Sequence, residues 1–217
     1  AKGFNIIQTM GITEFNALRV PNAFGETPFL DMNPATPNDK YWQHVDWVIE
    51  EAAKRKMLLA LLPIWGDKVN RGWGVGPEIL TPENARLYGQ WLGKRYRDAP
   101  LIWVVGGDRR VENERHLETW RALAQGLKNG DDAKHLMTFH PPGGHSSSFW
   151  YHDDEWLDIN MWQTGHHISG YVNNYERIAQ DYARQPVKPV LDGEPCYEDH
   201  PIMIGDGETY RRSDVLF

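Results

Sequence analysis

The feature that most constrains this chain is a regular alternation of short, continuously apolar runs with helix-length segments. Phe4 to Met10 is strand-like, and Tyr41 to Lys56 carries Trp42, Val45, Val48, Ile49 and Ala52 at helical spacing. Met57 to Trp65 is apolar throughout, as a parallel strand covered on both faces must be. Thr81-Pro82 opens a helix that runs to about Asp98, with Thr81 as N-cap and Pro82 at the first helical position. Leu101 to Val105 is the next strand, followed by a helix from Asn113 to Lys128 that Asn129-Gly130 is expected to close. Strands over Leu136–His140, Leu157–Gln163 and Pro189–Asp192 follow, with a helix over Asn173–Gln185. Strands that alternate with helices imply a parallel sheet with right-handed crossovers.

Two architectures satisfy that pattern, an open doubly wound sheet and a closed barrel. No Gly-x-Gly-x-x-Gly follows the first strand, which removes the main support for a dinucleotide-binding sheet. Polar and aromatic residues instead gather at strand ends: Gln8, Trp65, Asp108, His140, Gln163 and Glu194. Such a gathering characterises the C-terminal face of a (β/α)8 barrel. The expectation is therefore an α/β protein, a (β/α)8 TIM barrel whose first and last strand units are missing. Residues 1–217 form a single catalytic domain in this reading.

Charge and composition narrow the partners. The net charge of −7 and the scatter of Lys and Arg along helix-like stretches argue against nucleic acid. No apolar run reaches the ~20 residues needed to cross a bilayer. The single cysteine, Cys196, excludes an internal disulfide and a multi-Cys metal site. Ten Trp and nine Tyr are more than a core of this size needs, and several fall in loops. Flat amphipathic rings suit sugar faces, which points to an oligosaccharide or polysaccharide partner.

Asp108 directly follows a buried strand behind two glycines, and Glu194 sits in Leu-Asp-Gly-Glu-Pro just past another. Two carboxylates at one barrel mouth are the minimum for glycoside hydrolysis: one protonates the leaving oxygen, the other attacks the anomeric carbon or activates water. From the residues alone a structural reading also stands, since strand-end acids cap helices or pair with arginines, and Arg109 adjoins Asp108. Asp192 and Glu198 compete with Glu194. The loop histidines His140, His145, His152, His166 and His167 lack the spacing of a zinc site, so no metal and no cofactor is expected. Ser146-Ser147-Ser148 has no Gly-x-Ser-x-Gly elbow and reads as a cap for the segment through Trp150. A non-catalytic sugar-binding barrel, an inactive fragment and a metal-dependent hydrolase remain as alternatives.

Five ordered motifs carry a resemblance: Lys-Gly-Phe-Asn-Ile-Ile-Gln, Tyr-Trp-Gln-His-Val-Asp, Trp-Val-Val-Gly-Gly-Asp-Arg, His-Pro-Pro-Gly-Gly-His-Ser-Ser-Ser and Leu-Asp-Gly-Glu-Pro-Cys-Tyr-Glu-Asp. In these the chain resembles the apiosidase-like glycoside hydrolases of bacteria. The resemblance implies a barrel of the retaining glycosidase type, with the acid/base after the fourth strand and the nucleophile after the seventh. Allowing for a missing first strand, Asp108 and Glu194 fall at those two ends. Asp in place of the more usual Glu at the acid/base position is shared with the apiosidase-like family. The implied substrates are plant cell-wall, pectin-type glycans, with apiose release among the reactions. Trp65, His140, Gln163, His166 and Tyr197 are the residues expected to stack on and hydrogen-bond the sugar. A secreted or periplasmic parent protein is the corresponding expectation.

Overall fold

A computed structural model describes residues 3–165, 174–202 and 207–212. They fall in two compact units, Ala1–Met137 and Thr138–Phe217.

In the first unit, β1 (Ile6–Met10) pairs in parallel with β2 (Leu58–Leu62), from Ile6 opposite Leu58 to Met10 opposite Leu62. Strand β2 pairs in parallel with β3 (Leu101–Gly106), from Leu59 opposite Leu101 to Leu61 opposite Trp103. The Trp103 amide donates to the Leu136 carbonyl at 2.9 Å, so the chain entering β4 (Met137–His140) runs beside β3. Burial separates these strands. Leu59 to Leu62 and Trp103 to Val105 are buried, as continuous apolar runs predict, whereas Ile6, Ile7 and Met10 of β1 are exposed. Among the described residues nothing pairs with the other edge of β1.

The helices start where their capping residues dictate. In α1 (Asp39–Lys54) the Asn38 side chain accepts from the Lys40 amide, and Trp42 and Ile49 are turned inward. Trp42 donates its indole N–H to Pro28 O at 3.1 Å, which satisfies the one polar atom of a buried ring. In α2 (Pro82–Tyr96), Thr81 Oγ1 accepts from the Asn84 amide while Asn84 Oδ1 accepts from the Thr81 amide, a reciprocal cap. Arg95 of α2 forks onto Asp46 of α1 through Nε at 2.8 Å and Nη2 at 2.6 Å. Among the described residues no helix is long and apolar enough to cross a membrane.

Helix α3 (Glu114–Asp131) departs from the sequence expectation, because it runs through Asn129-Gly130 and ends at a left-handed Asp132 with φ 56°. Gly130 is interior for a packing reason. Gly89 and Gly93 of α2 face Gly126 and Gly130 of α3, and a Cβ on Gly89 would lie 2.5 Å from Leu123 O. A Cβ on Gly130 would lie equally close to Gln90 O, at 2.5 Å. The two helices meet backbone to backbone, a geometry open only to glycine. Asp131, at the end of α3, is buried; its Oδ2 accepts from Trp103 Nε1 at 2.9 Å and lies 2.7 Å from His135 Nδ1. Burial pushes this carboxyl up, but the His135 and Trp103 contacts outweigh it and leave it below the usual range.

In the second unit, β5 (Asn160–Trp162) and β6 (Val190–Asp192) pair in parallel, Asn160 opposite Val190 and Trp162 opposite Asp192. Two further bonds extend the ladder: Gly193 N to Trp162 O and Gly165 N to Glu194 O, both 2.9 Å. Helices α4 (Ser148–Tyr151) and α5 (Asn174–Tyr182) complete it. The buried Asp181 of α5 accepts from the hydroxyls of Ser146 and Ser148, and Ser147 Oγ accepts from the Met161 amide. The serine run is thus a structural clasp, with each hydroxyl bonded to protein.

Replacing Gly89 with Ala sets a gain in helix propensity of about 1 kcal/mol against overpacking of about 1–3 kcal/mol. The carbonyl is backbone and cannot move aside, so overpacking wins. Gly89→Ala should lower stability by up to about 2 kcal/mol in urea unfolding. Gly143→Ala, whose Cβ would meet only Gln163 Nε2 at 3.8 Å, should leave it nearly unchanged.

Candidate active site

Strand β3 ends in a turn that only its sequence permits. Gly106, Gly107 and Asp108 have φ of 90°, 130° and 46°, and Asp is among the few residues that tolerate the left-handed region. A Cβ on Gly107 would lie 2.8 Å from both Gly66 N and the Trp65 ring. The strand-end residues Trp65 and Gly66 therefore sit directly against the turn that carries Asp108.

Arg109 anchors this turn from below. It is 2% exposed. Its Nη2 donates to Glu14 at 2.9 Å, its Nη1 to Asp108 O at 2.7 Å and to Asp108 Oδ2 at 3.3 Å, and its Nε to Arg71 O at 3.2 Å. The guanidinium lies over Trp73, 4.4 Å from the ring centroid. Beside it, Asp67 and Lys68 are wholly buried. Lys68 Nζ donates to Asp67 Oδ2 at 2.7 Å and to the carbonyls of Glu14 and Gly76 at 3.0 Å; Gly76 N donates to the same Asp67 oxygen at 2.8 Å. Burial pushes the Asp67 carboxyl up and the Lys68 ammonium down, each opposed by the other's charge.

In the second unit, His140 ends β4 and is fully buried, with Nε2 3.1 Å from Glu194 Oε2 and Nδ1 3.1 Å from Pro141 O. Glu194 follows β6 and keeps 14% of its side chain exposed. Gln163, 2% exposed, follows β5, where its backbone bonds Gly144 and His145. Its Oε1 is buried and has no hydrogen-bond partner among the described residues. Asp192 accepts from Thr164 Oγ1 at 2.5 Å. Burial pushes its carboxyl up, against the lowering pull of the Thr164 hydroxyl and of backbone and Asn174 hydrogen bonds.

The first unit thus joins Trp65 to the Asp108 turn, and the second joins His140 to Glu194. Tyr197 is exposed, with its ring edge on His200 at 5.9 Å. Glu198 is exposed too. His166 and His167 lie outside the described residues. His145 bonds Gly143 O at 2.8 Å and stacks on Trp150, and His152 Nδ1 accepts from Asn160 Nδ2 at 3.2 Å. No group of three or more His, Cys, Asp or Glu able to hold a metal occurs among the described residues. Sequence reasoning missed Glu14, Asp67 and Lys68. Asp67 had a signal: Trp-Gly-Asp-Lys follows β2 just as Gly-Gly-Asp-Arg ends β3.

Parallel strands alternating with helices define an α/β protein, and solved structures similar to it are glycoside hydrolases. A glycoside hydrolase family 5 protein from Bacteroides vulgatus ATCC 8482 is 34% identical at a TM-score of 0.80, over 97% of this chain and 46% of that one. Another glycoside hydrolase is 31% identical at a TM-score of 0.79, over 97% of this chain and 49% of that one. Thermotoga maritima Cel5A, in complex with cellobiose, shares the fold at 16% identity and a TM-score of 0.52, over 90% of this chain and 66% of that one. Residues 1–215 match the apiosidase-like catalytic domain, and the chain belongs to that family. It spans about half the length of the first two solved structures. No curated protein matches it.

Asp192 yields a pH prediction with a definite sign. A carboxyl raised in the folded state stabilises below its unfolded value near 3.9 and loses that contribution as pH climbs through the folded value. Asp192→Asn lacks this loss. Its melting temperature relative to the native chain should rise between about pH 4 and pH 7, as read by thermal denaturation at several pH values.

Proposed function

We infer that this chain supplies the catalytic residues of a retaining glycoside hydrolase that acts on plant cell-wall, pectin-type glycans, with apiose release among its reactions. The observation that carries the reading is a shared arrangement of two carboxylates. Asp108 and Glu194 each follow the C-terminal end of a parallel strand, each remains partly open to solvent, and each lies within 3.3 Å of a nitrogen of a buried basic side chain, Arg109 or His140. Family membership supports the same reaction class. The catalytic unit in this reading is one (β/α)8 barrel, and the exposed apolar residues of β1 are consistent with further chain packing there.

In the first step a Glu194 oxygen bonds to the anomeric carbon as the glycosidic C–O bond breaks, and Asp108 gives its proton to the departing oxygen. Water then attacks the same carbon, Asp108 takes the water's proton, and the bond to Glu194 breaks. Arg109 directs its shorter ionic contact to Glu14, so its charge on Asp108 is shared. Trp65, beside the Asp108 turn, offers a stacking face. The unpartnered Gln163 Oε1 offers an acceptor for a sugar hydroxyl. His166 and Tyr197 complete the proposed sugar contacts, while His140, which the sequence also suggested for this role, is fully buried behind Glu194.

The test is a glycan screen of the full-length protein beside Asp108→Asn and Glu194→Gln. Glu194→Gln should lower kcat by at least roughly 10³-fold, and Asp108→Asn by roughly 10²–10⁴-fold. Proton NMR of the first product should give the anomer of the substrate. A crystal structure should place the two carboxyl groups ~5–5.5 Å apart. Turnover that survives both substitutions, or sugar binding without turnover by the native protein, overturns the reading.

A further inference from the structure

We propose that Trp73 is the stacking platform for the leaving-group sugar, a specificity role that rests on the reading of Asp108 as acid/base and extends it. The ring is 64% exposed even though the Arg109 guanidinium covers one of its faces, 4.4 Å from the centroid. The opposite face is therefore open to solvent. A lone surface tryptophan would need no explanation. Two things set this one apart: its loop is fixed, and its arginine also holds Asp108.

Residues 70–76 are pinned on both sides of the ring. The Asn70 side chain donates to Arg110 O at 2.9 Å and accepts from Gly72 N at 3.1 Å, and Arg71 N donates to Glu78 Oε1 at 2.8 Å. Arg71 O accepts from Gly74 N at 2.7 Å and from Arg109 Nε at 3.2 Å. Gly76 N donates to the buried Asp67 at 2.8 Å. A Cβ on Gly72 would lie 3.1 Å from Arg109 Cδ, so the loop rests directly on the arginine side chain. A ring held in this way pays little ordering entropy when a sugar arrives, and more of its stacking energy goes into binding. The same guanidinium donates from Nη1 to Asp108 Oδ2 at 3.3 Å. With one C–N bond of ~1.3 Å between these contacts, the ring centroid lies no more than about 9 Å from that oxygen. Asp108 faces the glycosidic oxygen in the proposed reaction, so a platform anchored on its partner meets the sugar that departs with that oxygen. An indole face suits the C–H side of a sugar and leaves the hydroxyls to water and polar groups.

The experiment compares the native full-length protein with Trp73→Ala, which removes the face, and Trp73→Phe, which keeps an aromatic one. Each is assayed on an apiose-containing pectin oligosaccharide, whose leaving group is a sugar, and on apiosyl fluoride, whose leaving group is a single atom. On the oligosaccharide, Trp73→Ala should lower kcat/KM by roughly 10–100-fold and Trp73→Phe by less than about fivefold. On the fluoride, kcat of both should stay within about threefold of the native value. Turnover of the fluoride still ends with Asp108 taking the proton of the attacking water, so an effect relayed through Arg109 would lower kcat there too. Equal losses on the two substrates, or an unchanged kcat/KM of Trp73→Ala on the oligosaccharide, overturn the proposal. Calorimetric titration of the oligosaccharide into Glu194→Gln, with and without Trp73→Ala, reads the platform apart from the chemistry. Loss of the ring should weaken binding at least about tenfold, and unchanged binding overturns the proposal. Asp108→Asn is assayed in parallel. If it retains turnover, the acid/base reading fails, while the titration still decides whether Trp73 binds the sugar.

Discussion

The close approach of Gly66 and Gly107 governs the functional edge of the first unit. Neighbouring strands lie about 4.8 Å apart, and side chains at their ends normally splay that spacing open. Here both ends lack a Cβ, and one added at Gly66 would collide with the Gly107 carbonyl. The backbones stay together beyond the ladder, the Trp65 ring lies against the turn, and Asp108 emerges beside it. Arg109 fills the space beneath. Gly74 extends the same logic, since a Cβ there would meet Asp67 Cβ at 2.5 Å and Arg109 Nη2 at 2.6 Å. Glycine at three points in sequence thus creates one room for a buried guanidinium.

Burying charge there is costly. Two ions removed from water lose several kcal/mol each, and their mutual attraction repays this only with good geometry and further hydrogen bonds. Lys68 meets that condition with a carboxylate and two carbonyls, and Arg109 with two acidic side chains, backbone carbonyls and an indole face. Such networks make little net stability but hold loops in one arrangement. The Asp131 cluster offers a contrast. It joins the end of α3 to Trp103 and His135, away from the β3 turn, and reads as a structural tie.

Much of this organisation was legible in the sequence, and for identifiable reasons. Each described strand and long helix falls within a residue or a few of its periodic run, because apolar period and capping residues are local signals. Thr81-Pro82 and Asn113 start helices where their chemistry dictates. Gly130 misled because a glycine near a helix end usually stops it, whereas here it admits a neighbouring helix. The repeated spacing in Gly89-x-x-x-Gly93 and Gly126-x-x-x-Gly130 held that information. The serine run illustrates a deeper limit. Its partner Asp181 lies more than thirty residues away on α5, and spacing encodes no such pairing.

Strand-end position alone does not tell one acid from another, since Asp67, Asp108, Asp192 and Glu194 all satisfy it. What separates them is the environment of each carboxylate. Asp67 is sealed, with one oxygen bound by an ammonium and an amide. Asp192 is pushed toward its neutral form by burial and is engaged by the Thr164 hydroxyl. Asp108 and Glu194 keep 23% and 14% of their side chains exposed, each against one basic group. A reacting carboxylate must reach substrate and still be aimed by the protein. Sealing forfeits the first requirement, and free exposure, as at Glu198, forfeits the second. Partial exposure beside a buried basic side chain is compatible with both, and that environment at Asp108 and Glu194 is what the proposal for this pair rests on.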